Sequence, residues 1–289
     1  QDSRTWFSVG QGTVLLLYNR VAYMQDGVMR DLGKFRFTFY DQMGRLAVQG
    51  ICTQPRADGA SATVTYSNST AGICSTGWSL PSGASLGTTT LEQANYYDDY
   101  SFLSLSAFSG SGLTSLTGGD ATGLLTGTLS LTSNNVTLCS VNYYDDKGRL
   151  TSSQQTLPYS RKLRTDTQYT FTGKASSVTE TVTTGTDTYT LEKYYTYSPY
   201  NDQPTQLNVA YGGFMDDVAA GYEYNDLGRL SKITRPDVCD TQYTYNQRGW
   251  LTGISNTEFS QWLYYADGGY PAYNGNLGKM EWRYGNGAV

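Results

Sequence analysis

The sequence of 289 residues contains no histidine. This absence excludes Ser-His-Asp and Cys-His catalytic arrangements and every metal site with a histidine ligand. No G-x-x-x-x-G-K-[ST] pattern and no G-x-G-x-x-G pattern after a strand offers a phosphate-binding loop. Acidic pairs such as Asp98-Asp99 and Asp145-Asp146 supply oxygen ligands, but none fits the spacing of a calcium loop. We therefore predict no catalytic residue, no metal, no cofactor and no enzymatic activity.

Charged residues are also scarce, at 16% of the chain, and the formal net charge is −5. Nucleic acid is a poor partner, because no basic stripe is present to neutralise phosphates. No apolar run has the length of a membrane span, and VLLLY at 14–18 is the size of a strand. Because no signal peptide is visible and the chain begins with Gln1, we expect a piece excised from a longer protein.

The four cysteines leave two interpretations open. In a strand-rich, exported chain an even number of cysteines permits disulfides, and Cys52 with Cys74 is the pair we predict. The alternative is that they are small buried thiols, since free cysteine often packs in a core.

What the chain does contain favours strands and turns. It has 26 tyrosines and 32 glycines, with serine and threonine throughout, and these residues suit strands and the turns between them. No amphipathic helical run longer than a couple of turns is present. The composition therefore predicts an all-β fold.

One sequence pattern recurs along the chain. Residues 222–251 contain Y-x-Y-N-x-x-G-x-L twice, aligned on Gly228 and Gly249, and residues 143–150 and 39–46 repeat the unit. Aromatic residues at i and i+2 share one face of a strand, the Asp or Asn accepts a backbone N–H two residues on, and glycine enters the left-handed conformation. The pattern predicts a β-hairpin. The predicted turn residues are Asp41, Gly44, Asp145, Gly148, Asn225, Gly228, Asn246 and Gly249.

This unit resembles that of the YD-repeat (Rhs) family, the bacterial relatives of the teneurin shell. The family pattern, roughly Y-D-x-x-G-R-L, is matched at residues 40–46 and 144–150, at 224–230 with Asn in place of Asp, and at 245–251 with Asn and Trp in place of Asp and Arg. The resemblance implies antiparallel β-hairpin repeats coiled into a curved sheet, part of an Rhs/YD-repeat shell. It also implies a secreted or cell-surface bacterial protein.

Long members of the family are similar in carrying, after the repeats, an Asp-Pro core that cuts the chain and releases a variable C-terminal toxin. This chain has no Asp-Pro dipeptide, and residues 274–289 still follow the repeat pattern. The resemblance therefore implies a structural segment of the toxin shell that encloses or presents a downstream polypeptide. Flanking segments of the same longer chain are its expected partners.

Composition suggests a division at residue 140. Residues 1–140 are a β-rich part with one YD hairpin and insertions rich in Gly, Ser and Thr. Residues 141–289 are a YD-repeat hairpin array with units of roughly 21–30 residues. The two parts also fit one continuous unit. Strand edges at the ends of such an array can pair with another chain, which allows an edge-strand oligomer.

A second hypothesis begins from the densest group of aromatic residues. Alternating Tyr and Trp are typical of hairpin packing, but exposed rings would stack on sugars or contact a protein. The alternative function is therefore a cell-surface glycan- or protein-binding adhesion module. Acids such as Glu180 and Glu258 also suit a glycosidase cleft, but the sequence does not show which acids face each other. The proposed ligand-facing residues are Trp250, Trp262, Tyr264, Tyr265, Tyr270 and Tyr273.

Overall fold

The computed structural model describes residues 19–25, 28–54, 63–68, 72–80, 86–132, 134, 136–236, 238–267, 269 and 271–285, with side chains from residue 34 onward except 215–217. The chain forms two units, each described by itself. The first holds Gln1–Asp166 and Thr181–Thr188, and the second holds Thr167–Glu180 and Tyr189–Val289. The sequence-based boundary at residue 140 falls inside a strand, Thr137–Tyr144, and a division into domains there stays a prediction.

The first unit is an antiparallel sheet that follows the order of the chain. Its strands are β1 (Asn19–Gln25), β2 (Val28–Tyr40), β3 (Leu46–Cys52), β4 (Thr65–Tyr66), β5 (Trp78–Ser79), β6 (Thr89–Asp98), β7 (Ala121–Leu131), β8 (Thr137–Tyr144), β9 (Leu150–Leu157) and β10 (Arg161–Tyr169). Strands β1, β2, β3, β6, β7, β8, β9 and β10 pair in that sequence, and β4 pairs with β5. The described helical segments are 3₁₀ turns at Ile73–Ser75 and Ser101–Ser104 and helix α1 at Ser106–Ser109.

One face of this sheet carries the hydrophobic core. Phe37 and Phe39 point to that face because side chains on a strand alternate with a period of two, and both are fully buried. Residues from other strands and from two long connections complete the core. We call residues 53–88, between β3 and β6, the first insertion, and residues 99–120, between β6 and β7, the second insertion.

Tyr96 of β6 is the centre of the aromatic packing. Its ring centroid lies 4.7 Å from that of Phe102, 5.4 Å from Phe108, 5.7 Å from Tyr66 and 6.5 Å from Trp78. The four neighbouring rings come from both insertions. Aromatic pairs contribute about 0.5–1.5 kcal/mol each beyond their buried area. This cluster therefore joins the sheet to two segments that are distant in sequence.

The opposite face of the same sheet is polar. Gln49 Nε2 donates to Gln93 Oε1 at 3.4 Å, and Gln93 Nε2 donates to Asn95 Oδ1 at 2.8 Å. Further along the sheet, Ser153 Oγ donates to Asn142 Oδ1 at 2.9 Å. The first unit therefore has one face sealed by its insertions and one face lined with amides and hydroxyls.

The second unit is a run of consecutive antiparallel hairpins. Its strands are β11 (Ala175–Thr184), β12 (Asp187–Tyr197), β13 (Pro204–Tyr211), β14 (Phe214–Tyr224), β15 (Leu230–Arg235), β16 (Val238–Tyr245), β17 (Leu251–Ser255), β18 (Phe259–Tyr264) and β19 (Lys279–Tyr284). From β12 to β19 each strand pairs with the next in sequence. The predicted fold class, all-β with antiparallel hairpins in a curved sheet, is confirmed.

The second unit has little hydrophobic core. Among its described residues the buried apolar side chains are Ala210, Ala220 and Ile233. Met280 and Trp282 lie two residues apart on β19 and therefore share one face of the strand, where both are exposed. The second unit therefore depends on contacts between neighbouring hairpins more than on a buried centre.

The predicted disulfide is not formed in the structure, in which all four cysteines are free thiols. The Cys52 thiol donates to the carbonyl group of Gln54 at 3.6 Å, and the Cys74 thiol donates to Thr89 Oγ1 at 3.3 Å. Cys52 also lies opposite Thr89 in the β3–β6 pairing. Cys52 and Cys139 are buried, as the alternative interpretation expects, whereas Cys74 and Cys239 are half-buried. A bridge under oxidising conditions stays a prediction.

The close approach of Gly127 to Phe102 provides a test of the core. A Cβ at Gly127 would lie 2.4 Å from the Phe102 ring, which is 1% exposed. We expect Gly127→Ala to lower the free energy of unfolding by roughly 1–3 kcal/mol, measured by urea unfolding. The control is Gly221→Ala, whose Cβ would meet Thr234 at an ordinary 3.7 Å. Equal unfolding midpoints for the two variants would contradict this packing.

Candidate functional site

The first YD turn shows how the motif works. Asp41 Oδ1 accepts the backbone N–H groups of Met43 and Arg45, both at 2.9 Å. Gly44 has φ +78°, a left-handed conformation that glycine adopts without strain. Arg45 Nε donates to Asp41 Oδ2 at 2.8 Å. One carboxylate therefore orders both the loop and the arginine that follows it.

Three more turns have the same arrangement. In each, a side-chain oxygen accepts two backbone N–H groups at 2.9–3.0 Å, and the glycine has positive φ. The acceptor and glycine pairs are Asp145 with Gly148, Asn225 with Gly228, and Asn246 with Gly249. An amide oxygen accepts these bonds as a carboxylate does, so the turn survives the change from Asp to Asn.

Three related turns lack the complete motif. Thr170 Oγ1 accepts the N–H of Lys174 at 3.1 Å. Asp202 takes the left-handed conformation, with φ +59°, where no glycine is present. Asp98 Oδ1 accepts the N–H of Gly123 at 2.7 Å across the whole second insertion. Sequence analysis missed this last pair because the insertion separates its two halves.

In six of these turns a carbonyl group accepts a hydrogen bond from a tyrosine of the next repeat. The acceptor is always two residues after the positive-φ residue, and the tyrosine hydroxyl donates at 2.7–2.9 Å. The pairs are Tyr97 to Leu46, Tyr144 to Leu125, Tyr197 to Ala175, Tyr224 to Pro204, Tyr245 to Leu230 and Tyr265 to Leu251. We call this set the tyrosine ladder. Because each bond joins adjacent repeats, the ladder specifies which hairpin packs beside which.

The residue after the positive-φ position covers the ring of the same tyrosine in four of these pairs. A cation over an aromatic ring contributes about 0.5–1 kcal/mol at an exposed site. The pairs are Arg45 over Tyr97 at 4.2 Å, Lys174 over Tyr197 at 5.4 Å, Arg229 over Tyr245 at 5.8 Å, and Trp250 beside Tyr265 at 4.9 Å. The change from Arg to Trp in the last copy therefore keeps a cover on the tyrosine.

Arg45 also links the first turn to the second. Its two terminal nitrogens donate to the two carboxylate oxygens of Asp98 at 2.8 and 2.7 Å, the bidentate geometry that suits guanidinium and carboxylate. This bond raises the pKa of Arg45 above its usual value, and the same bond lowers the pKa of Asp98. Asp98 is therefore ionised at neutral pH where the second insertion begins.

The six aromatic residues proposed to face a ligand are not equally available. Four are half-buried and used in packing: Trp250, Trp262, Tyr264 and Tyr265. For example, the Tyr264 hydroxyl donates to Glu281 at 2.8 Å. Tyr273 is exposed, and Tyr270 lies outside the described residues. A ligand at this group stays a prediction.

Exposed apolar residues at the turn tips were missed by the sequence analysis. In the second unit Phe171 and Tyr200 are both 94% exposed, and Leu227 is largely exposed. All three lie within the turns, where polar residues are usual. The sequence signal for these tips is a large apolar residue inside the turn, between the Asn, Ser or Thr that begins the turn and the residue with positive φ that ends it. Exposed apolar side chains of this kind indicate contact surfaces when they group together.

In the described part of the chain no three His, Cys, Asp or Glu side chains come together as metal ligands. No helix there is long and apolar enough to cross a membrane.

No protein-family model matches the chain, and no curated protein matches it. Similar solved structures include the crystal structure of TcdB2-TccC3 without its hypervariable C-terminal region, at 13% identity and TM-score 0.36. Others are the Photorhabdus luminescens Tc holotoxin pore, at 12% and 0.35, and TcdB2-TccC3, at 12% and 0.35. Each match covers 93% of this chain and 16% of the other. The chain thus spans about a sixth of the length of these neighbours.

The tyrosine ladder makes a prediction that conservative substitutions can test. Tyr245→Phe removes the hydroxyl bonded to Leu230 and keeps the ring, so we expect the free energy of unfolding to fall by about 1 kcal/mol, measured by urea unfolding. Tyr243→Phe, two residues earlier on the same strand, is the matched control and should change it less. If the control is destabilised as much, the ladder is not the source of stability.

The Arg45–Asp98 pair predicts a dependence on pH. Because the folded pKa of Asp98 is lowered, its stabilisation is present above the unfolded pKa, about 3.9, and is lost as the pH falls through the folded value. We expect Asp98→Asn to destabilise the first unit at pH 6, with the difference from the unmodified protein shrinking below about pH 4. Urea midpoints across pH measure this, with Asp146→Asn as control. A difference that is constant with pH would contradict the assignment.

Proposed function

We propose that the chain is a non-enzymatic structural segment of a longer secreted or cell-surface bacterial YD-repeat (Rhs-like) protein. In this proposal its hairpins form part of a β-shell that encloses or presents a downstream polypeptide. Its partners are then flanking segments of the same chain, and an edge-strand oligomer is a further assembly open to it.

The tyrosine ladder carries this proposal. The same hydroxyl-to-carbonyl bond joins a repeat to the preceding one six times in the described residues. A contact that uses only the adjacent repeat can be added without changing the rest, which is how repeat proteins build large surfaces. Asp41 and Asp145, the acids of two turns, already accept hydrogen bonds from backbone N–H groups and from arginine, which supports a structural role for them.

Limited proteolysis with intact-mass analysis tests the proposal on the chain expressed with its natural downstream sequence. We expect a downstream segment that stays bound and resistant to protease. The double variant Tyr245→Phe and Tyr265→Phe, which removes two ladder bonds, should make that segment digestible, whereas Tyr243→Phe should not. Free digestion of the downstream segment while residues 141–289 survive would overturn enclosure.

The exposed turn tips favour a second candidate, a cell-surface module that binds a glycan or a protein. Phe171, Tyr200 and Leu227 leave large apolar surfaces in water, and exposed aromatic residues contact sugars and proteins well. Screening on a glycan array tests the sugar-binding form. Signal that is lost in Tyr200→Ser but kept in Trp250→Phe supports it, and an array without signal rejects it.

A further inference from the structure

A pocket of about 130 Å³ opens in the first unit where the two insertions meet the sheet. Its aromatic walls include Tyr66, Trp78, Tyr96 and Phe102. Trp78 Nε1 and the Tyr96 hydroxyl already donate to backbone carbonyl groups, at 3.0 Å each. These two groups are satisfied within the protein, so neither needs a ligand as its partner.

The hydroxyl group of Tyr66 is the exception. It is buried and makes no hydrogen bond to the described residues. Ser101 lies near it, but Ser101 Oγ donates to Asp99 at 2.7 Å, and its position relative to Tyr66 is outside hydrogen-bonding geometry. A buried hydroxyl without a partner lowers stability, because its hydrogen bonds to water are lost and not replaced. A ligand that donates a hydrogen bond to this oxygen would recover part of that cost.

Charge decides what kind of ligand fits. Arg45, Asp98 and Asp99 line the pocket, which gives it one net negative charge. Arg45 and Asp98 neutralise each other in their bidentate pair. Asp99 Oδ1 accepts the N–H and the hydroxyl of Ser101, and Asp99 Oδ2 takes part in neither bond. The Asp99 carboxylate is therefore the charge that a ligand would meet.

We propose that this pocket binds a primary ammonium group on a short alkyl stem, the chemistry of a lysine side chain. The stem lies against the aromatic walls, and the ammonium group donates to Asp99 and to the Tyr66 oxygen. A sugar fits less well, because it needs an open ring face to stack on, and Trp78 and Tyr96 are only 6% and 2% exposed. The net charge disfavours an anion.

Titration with n-butylammonium chloride tests the site on the whole chain, followed by calorimetry, with n-butanol in sodium chloride of equal ionic strength as the uncharged probe. We expect saturable binding of n-butylammonium and none of n-butanol. Asp99→Asn should weaken binding by about tenfold, since hydrogen bonds to charged groups contribute about 1.5–3 kcal/mol. Tyr66→Phe should weaken it by a smaller factor.

Asp120→Asn is the matched control. Asp120 lies in the same insertion and holds Thr122 through its N–H and hydroxyl, as Asp99 holds Ser101, but it does not line the pocket. The Asp120→Asn variant should bind n-butylammonium as tightly as the unmodified protein does. Equal effects of Asp99→Asn and Asp120→Asn, equal binding of n-butanol, or no saturation would each overturn the site. None of these outcomes bears on the proposed shell, because the ladder does not use Tyr66 or Asp99.

Discussion

The hydrogen bond from a tyrosine hydroxyl to the carbonyl group two residues after a left-handed turn residue is the contact on which the second unit depends. It requires both ends of the motif. Gly228, with φ +73°, sets the direction of the chain so that the carbonyl group of Leu230 faces the next hairpin, and Tyr245 fills that position. Each bond contributes only about 0.5–1.5 kcal/mol. Repetition, rather than a buried core, makes the total large enough to order a single layer.

The two units are stabilised by different kinds of contact. The first buries Phe37, Tyr96 and Phe102 almost completely and uses its insertions as a second layer, which is the usual way for a sheet to protect its apolar face. The second has no such layer in its described residues, and its apolar face is half-buried or exposed. Nearest-neighbour contacts must therefore supply what a core supplies elsewhere, and stability should propagate along the array.

Local chemistry explains which features could be predicted from the sequence. The turns at Asp41 and Asn225 were readable because side chain, loop and glycine lie within four residues. The ladder was not readable, since Tyr97 and Leu46 are 51 residues apart and nothing local marks the acceptor. The contacts of Tyr66 and Trp78 with Tyr96 were not readable either, because the first insertion is separated from Tyr96 in sequence. The group containing Trp250 was predicted to face a ligand because alternating residues share one face of a strand. The alternation does not show whether a neighbouring side chain covers that face, and in the structure Tyr265 packs against Trp250.

The second insertion shows why new function can arise at a repeat turn without loss of the fold. Asp98 Oδ1 accepts the N–H of Gly123 across the insertion, where the glycine of a compact turn donates to the backbone carbonyl group of the aspartate or asparagine, and Arg45 of the preceding turn takes the place of an arginine within the motif. The scaffold is therefore maintained by residues on either side of the insertion and by Phe102 and Phe108 within it, which are buried against Tyr96. Loops held on a rigid frame are where binding groups usually occur. Asp99, which follows directly after the closing residue, lies at that junction, so its position is held by the repeat while its carboxylate faces the pocket.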